Sequence, residues 1–258
     1  MKKIDFSKYS SIKIGPVCDV EELDEIKNEN EKFFIIGGAN NLLISNNPPK
    51  LAKLSKKFDY IYEKEGFIHI GAATPSGKIL SFCKKRDIRG FEMLQKLPGL
   101  LGGLVKMNAG LKEHEIFNSL VSIKTVNDYI KKEDISYGYR KTGIKHIIYE
   151  AVFKCEKGFD KSLFEWFETL RANQPTLPSA GSCFKNPKGE FAGRLLQECG
   201  LKGFRVGGVG FSKQHANFLA NYGDGTFEDA LKAIDIAKKE VKTRFDIELE
   251  LEIKVVGH

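Results

Sequence analysis

An α+β fold follows from three features of this 258-residue sequence. Strand-like and helix-like patterns do not alternate regularly along it, as an α/β chain would require. Short apolar runs separated by glycine turns fill the first half. After Gly158 the character changes to helical spacing, which places a domain boundary near that residue.

The elements follow in order. Phe33–Ile36 and Leu42–Ile44 read as strands around the turn Gly37-Gly38-Ala39-Asn40-Asn41, and Tyr60–Tyr62 and Phe67–Ile70 as two more. Ser76–Arg86 reads as a helix whose Ile79, Leu80, Phe82 and Cys83 form an apolar face. Strands are expected around Leu120–Val126 and Ile147–Phe153. Leu163, Phe164, Phe167 and Leu170 recur at helical spacing, and Gln174-Pro175 ends that helix. A short helix at Phe191–Cys199 closes on Gly200. Val206–Phe211 and Phe218–Asn221 read as strands, with Gly223-Asp224-Gly225 as a turn. Thr226 and Asp229 form a capping box ahead of a long helix striped by Phe227, Ala230, Leu231, Ile234, Val241 and Phe245. The chain closes on an alternating strand, with Ile247, Leu249, Leu251, Ile253 and Val255 on one face and Glu248, Glu250, Glu252 and Lys254 on the other.

Hydrophobic residues make up 41% of the chain, enough for a sizeable core and too many for a disordered one. The net charge of +7 favours an anionic partner: nucleic acid, an acidic membrane surface or phosphorylated small molecules. The charges are scattered, with no basic run, which weakens nucleic acid most. Five cysteines lack any CxxC pair or nearby histidine spacing, so neither a disulfide framework nor a metal site is expected. The N-terminus has two lysines but no apolar h-region, and no apolar run approaches the roughly 18 residues that cross a bilayer. A soluble protein of a reducing cytoplasm is expected.

Several stretches carry chemistry. Gly37-Gly38-Ala39-Asn40-Asn41 offers successive backbone N–H groups suited to a pyrophosphate; an ordinary hairpin turn is the alternative. Gly71–Lys78 has the wrong spacing for a P-loop, and Ile79 stands where Ser or Thr is needed. From Pro98 to Gly110, four glycines among apolar residues leave a backbone open to a flat ligand, or else simply pack tightly. Tyr137-Gly138-Tyr139-Arg140 sets a guanidinium among aromatics, able to pair with a carboxylate or to lie on a surface turn. Ser179–Pro187, SAGSCFKNP, exposes a serine beside a cysteine, but Phe184 breaks the G-x-S-x-G pattern. No nucleophile–base–carboxylate set assembles around His215. Nothing in the alternation separates Glu252 from Glu248 and Glu250.

Taken in order, GGANNLLIS, LPGLLGGLVKMNAG, YGYR, SAGSCFKNP with FAGRLLQECGLKG, VGFSKQHANFLAN and LELEIKVVG span residues 33 to 257. Together they resemble the UDP-N-acetylenolpyruvoylglucosamine reductase family, in its compact subtype without an inserted tyrosine loop. That resemblance implies an FAD-binding region of the vanillyl-alcohol oxidase/PCMH type in two subdomains, 1–50 and 51–158, and a substrate domain, 159–258. It implies that NADPH reduces FAD, and that hydride then passes to the enolpyruvyl group of a UDP-sugar to give UDP-N-acetylmuramate for peptidoglycan. FAD would lie on Gly37, Gly38, Ala39, Asn40, Asn41 and Leu42. It would also contact Pro98, Gly99, Gly102, Gly103, Asn108, Ala109 and Gly110. Arg140 and Glu252 would stabilise the substrate carboxylate, Ser182 would protonate C2, and Lys185 and Asn186 would contact substrate. Cys183 would be a neighbour only. A cytoplasmic monomer with no nucleic-acid or membrane partner is implied.

Asn40 stands where the family usually has Ser, Lys13 at a common arginine position, and the Ala-Tyr-Gly continuation after Gly110 is missing. Three other readings remain: an FAD oxidoreductase of the same fold acting on an alcohol, a basic nucleic-acid-binding protein, and a non-catalytic UDP-sugar binder. The first does not need the SAGSCFKN turn with a C-terminal glutamate. The second lacks any aromatic–basic RNP-like or helix-turn-helix pattern. The third would be colourless.

Overall fold

The computed structural model describes residues 1–257; residue 258, the end of the expected substrate domain, lies outside them. The chain divides into two compact units. One comprises Val20–Gly38 and Lys50–Ala172 with Met1, and the other Lys2–Asp19, Ala39–Pro49 and the chain from Asn173 onward.

A five-stranded antiparallel sheet organises the first unit, in the order Tyr129–Lys131, Leu120–Lys124, Glu150–Lys154, Phe67–Gly71, Ile61–Lys64. Val152 pairs with His69, and Phe153 with Ile68, which fixes the face each side chain takes. Ile68, Ile70, Ile123, Ala151 and Phe153 are sealed from solvent in one core cluster. The helix Ser76–Lys85 adds Ile79, Leu80 and Cys83 to it, as its spacing predicts. The helix Lys161–Leu170 is capped by Asp160, whose carboxylate accepts the Leu163 N–H at 2.9 Å. It buries Phe167 in the same core. In a second sheet of this unit, Leu51–Leu54 runs parallel to Val20–Leu23 and to Phe34–Ile35.

The second unit has a four-stranded antiparallel sheet in the order Ser179–Ser182, Phe218–Asn221, Val209–Phe211, Arg205–Val206. Lys254–Val256 pairs in parallel with Leu42–Ile44. The long helix Phe227–Phe245 begins at the expected capping box, Thr226 and Asp229 each bonding the other's backbone. Such a cap is worth about 1 kcal/mol. The helix buries Phe227, Ala230, Ala233, Ile234, Ala237 and Val241 and stops where Asp246 turns left-handed at φ 55°.

Three expectations need correction. Val206–Phe211 is a hairpin rather than one strand: Val206 pairs with Val209 across Gly207-Gly208. A Cβ at Gly208 would sit 2.3 Å from the Gly223 carbonyl oxygen, so only glycine allows that reversal. The terminal strand is shorter than expected, since only Lys254–Val256 joins a ladder. The alternation before it persists as burial: Leu249 and Ile253 are buried while Glu248 and Glu250 are exposed. Lastly, the glycine-rich stretch from Pro98 winds into a short helix, Leu101–Lys106.

Candidate functional site

The turn after Phe34–Ile35 holds Gly37 at φ 52° and Ala39 at φ 48°. A side chain added at Gly37 would meet nothing within 4 Å, so its backbone can be approached closely. The asparagines that follow hold the fold. Asn40 donates to the Ser11 hydroxyl at 2.6 Å, and Ser11 N–H bonds the Ala39 carbonyl. Asn41 donates to the Glu252 carbonyl at 2.9 Å, its own carbonyl accepts from Lys254 N–H, and Leu42 pairs with Lys254. That turn is thus tied to the segment carrying Glu252.

In the first unit the glycines of residues 98–110 have separate duties. Gly99 adopts φ 144°, and its carbonyl accepts from Ser76 N–H. Gly102 donates to the Ala72 carbonyl, and a Cβ there would lie 3.1 Å from the Ala72 Cβ. Gly103 faces open space, with nothing within 4 Å of an added Cβ. Gly110 pairs with Glu115, and a Cβ on it would be 2.2 Å from the His114 carbonyl oxygen. Pro98 is exposed, Ala109 buried, and Asn108 fully buried at φ 47°.

Arg140 occupies the tip of the hairpin formed by Tyr137–Gly138 and Lys141–Thr142, at φ 54°. A non-glycine residue in that region stores about 1–3 kcal/mol of strain. Its guanidinium folds back along the chain, donating to the carbonyls of Asn108 at 3.3 Å and Gly110 at 2.5 Å. A carboxylate oxygen of Glu115 lies 3.7 Å away. Arg171, 4% exposed, donates to the Gln95 carbonyl at 2.5 Å and sits against the Phe167 ring. Burial and then the charge of Arg140 bring its pKa down to about 10, so it stays cationic at neutral pH. Arg171 and Glu115 did not stand out in the sequence. Arg171 follows an amphipathic helix as many basic residues do, and Glu115 sits in a charged run.

The strand Ser179–Ser182 breaks register at Gly181, φ 85°, leaving Ser182 half-buried. Cys183 is fully buried, and burial holds its thiol far above the usual range, protonated at neutral pH. Its N–H bonds the Asn217 carbonyl, and its carbonyl accepts the Glu252 N–H at 2.9 Å. Asn217 clamps Phe184 from both sides, accepting its N–H at 3.0 Å and donating to its carbonyl at 2.8 Å. Lys185 N–H meets the Glu250 carbonyl, and its ammonium lies 2.5 Å from the Glu250 carboxylate. Asn186 accepts the Ala192 N–H, which orients its amide. Glu252 is half-buried, whereas the side chains of Glu248 and Glu250 are 85% and 72% exposed. The burial difference separates one glutamate from the other two where alternation did not. His215 accepts the Asn217 N–H and packs edge-on against Phe218; burial lowers its pKa, and its place is structural.

Known proteins resemble this chain along its length. The family model for the UDP-N-acetylenolpyruvoylglucosamine reductase C-terminal domain matches residues 173–256. A UDP-N-acetylenolpyruvoylglucosamine reductase of Helicobacter hepaticus is 48% identical over 257 residues, 98% of each chain. One of Campylobacter jejuni is 45% identical over 98% of this chain and 99% of its own. The crystal structure of the Thermus caldophilus enzyme superposes with a TM-score of 0.86 at 27% identity, over 99% of this chain and 98% of that one.

Proposed function

The chain belongs to the UDP-N-acetylenolpyruvoylglucosamine reductase family, and from that premise we propose its reaction and the roles of its residues. It is an NADPH-dependent, FAD-containing oxidoreductase that reduces UDP-N-acetylglucosamine enolpyruvate to UDP-N-acetylmuramate for peptidoglycan. What carries the reading is the 48% identity along 98% of the chain. Residues 1–50 and 51–158 are assigned to FAD, in the two-subdomain arrangement of PCMH-type flavoproteins, and residues 159–258 to the nucleotide sugar. The enzyme is read as a cytoplasmic monomer acting on a small molecule, without a nucleic-acid partner; among the described residues no helix is long and apolar enough to cross a membrane.

The residues present fit a flavin nucleotide. A Cβ added at Gly37 or Gly103 would meet nothing within 4 Å, which supports backbone that a phosphate or a flat ring can approach. Gly37–Leu42 is assigned to the pyrophosphate, and Pro98, Gly99, Gly102, Gly103 and Asn108–Gly110 to the ring side. Held there, FAD would supply the hydride chemistry between NADPH and C3 of the enolpyruvyl group. Everything else falls to the protein. Arg140 is assigned to the enolpyruvyl carboxylate, and Glu252 to the charge that develops on it. Ser182 gives its hydroxyl proton to C2 and recovers one from water. Lys185 and Asn186 hold the substrate. Cys183, buried and protonated, takes no part.

The test is direct. Purified protein reconstituted with FAD should be yellow, bleach with NADPH, and recover colour with the enolpyruvyl sugar while forming one UDP-N-acetylmuramate per NADPH. A protein that bleaches but never recovers colour with that sugar would refute the substrate.

A further inference from the structure

We propose that Glu115 is a positioning residue for Arg140, acting with Asn108 to aim the guanidinium at the substrate carboxylate. The proposal rests on the reading of Arg140 as the carboxylate's partner. The hairpin tip alone does not aim this side chain. Arginine carries about 2 kcal/mol of rotamer entropy, and a two-residue turn leaves its direction undetermined. The first unit supplies the missing constraint from two other pieces of chain.

One carboxylate oxygen of Glu115 lies 3.7 Å from the guanidinium, and the other accepts the Asn108 amide at 2.6 Å. That same amide donates to the Gly138 carbonyl at 3.1 Å, on the hairpin that carries Arg140. The Asn108 side-chain oxygen accepts the Phe117 N–H, and its backbone carbonyl accepts from Arg140. Asn108 is fully buried, and its side chain is committed at both ends, the amide to Glu115 and Gly138 and the oxygen to Phe117. The ladder pairing of Gly110 with Glu115 fixes the distance between the two carbonyl acceptors and the carboxylate.

Charge gives a second reason. The Arg140 side chain is only 10% exposed, and Arg171 is a second buried cation whose field reaches it. Two cations in a poorly solvated place repel, and a mobile one would swing away. Glu115 sets a negative charge on the side that holds Arg140 to the 108–110 carbonyls. A carboxylate with one oxygen tied to a buried amide can do this without moving itself.

Glu115 acts through Arg140, so a double-mutant cycle tests it on the FAD-loaded enzyme. In the wild-type background Glu115→Ala should slow sugar reduction by about 10- to 100-fold, the usual penalty for a misplaced reacting group. NADPH bleaching should stay normal. In an Arg140→Ala background the same change should cost under about threefold, because nothing remains to aim. The affinity for the enolpyruvyl sugar should fall, while that for UDP-N-acetylglucosamine, which lacks the carboxylate, should not. Glu115→Asp should recover part of the rate, and Glu115→Gln, isosteric but uncharged, should recover less. The Gln and Asp variants carry the test if the Ala variant fails to fold. Equal losses in both backgrounds, no loss in the wild-type background, or equal loss of affinity for both sugars would overturn the proposal. An Arg140→Ala enzyme that reduces the sugar at the normal rate would instead sink the reading of Arg140 itself, a separate and recognisable failure.

Discussion

Arg140 in the first unit and Glu252 in the second are held in opposite ways. The guanidinium is set by side chains and carbonyls distant in sequence: Asn108, Gly110 and Glu115. Glu252 is set through its own backbone, its N–H donating to the Cys183 carbonyl and its carbonyl accepting from the Asn41 side-chain amide. Ser182 shares the second regime, since the chain on either side of it is pinned by ladder bonds to Phe218–Asn221 and by Asn217. A group held by side chains is lost when a remote side chain changes. A group whose flanking backbone is also held by ladder and main-chain bonds is less exposed to such changes, even where one side chain, Asn41 or Asn217, joins in.

The largest effect should therefore come from Ser182, whose neighbours cannot replace it. Ser182→Ala should leave bleaching by NADPH near normal and slow the colour recovery by about 10²–10⁴, the range for loss of a general acid. Stopped-flow absorbance separates the two phases. Slow bleaching with normal recovery would move Ser182 out of the proton-transfer role.

Next in size, Arg140→Ala and Glu252→Gln should each cost about 10²–10³ in sugar reduction, as for removal of one group that stabilises developing charge. Glu248→Gln is the control, because its side chain is exposed and paired with Lys242. If Glu248→Gln were equally damaging, the burial that singles out Glu252 would have been misread. The comparison sharpens through Asn108→Ala: it should impair Arg140 chemistry as Glu115→Ala does and, because Asn108 is also assigned to the flavin, weaken FAD retention, which Glu115→Ala should not.

A smaller effect, on stability, comes from a side-chain-held carboxylate in the first unit. Glu150 is buried and accepts hydrogen bonds from Tyr60 at 2.6 Å and Tyr129 at 2.7 Å, with His69 Nδ1 at 2.9 Å. Burial pushes its pKa up, but these bonds together outweigh it and leave the carboxyl below its ordinary 4.5. A depressed folded pKa gives stability that is complete above the unfolded value and disappears as pH falls through the folded one. Glu150→Gln should thus cost about 1–3 kcal/mol at pH 7 by urea unfolding, and less near pH 3. A gap that stays constant between the two pH values would show that the charge is not what those bonds serve.

The two regimes also explain what could be read before the fold was known. Local signals were legible: the Thr226–Asp229 capping box, the helix from Ser76, and the alternation that buries Leu249 and Ile253. The Gly207-Gly208 turn is legible as a glycine pair, but the apolar residues around it read as one run. The bonds that aim Arg140 were not legible. Asn108 precedes it by 32 residues, and no periodicity links a glutamate in a charged run to a hairpin tip. Nor does alternation distinguish three glutamates on one face; their exposure depends on the 183–185 segment, which lies far away in sequence. The glycines from 99 to 110 read alike, yet Gly102 packs on Ala72, Gly103 faces open space and Gly110 faces a carbonyl, differences set by tertiary neighbours.

The smallest expected effect is at Cys183, adjacent to the residue with the largest. Its backbone carries two of the bonds that place Ser182 and Glu252, to Asn217 and from Glu252, and both survive any side-chain change. The thiol itself is sealed in the second unit's core and kept protonated by burial, so it offers neither a thiolate nor access. Cys183→Ala removes one sulfur from a packed core, a loss of about 1 kcal/mol of stability with turnover unchanged within a small factor. Native enzyme should likewise resist alkylation at Cys183 until urea opens the core, as mass spectrometry of the modified peptide would show. An inactive Cys183→Ala beside an active Ser182→Ala would reverse the two roles. It would mean that the side chain, and not the backbone around it, is what this turn presents to its substrate.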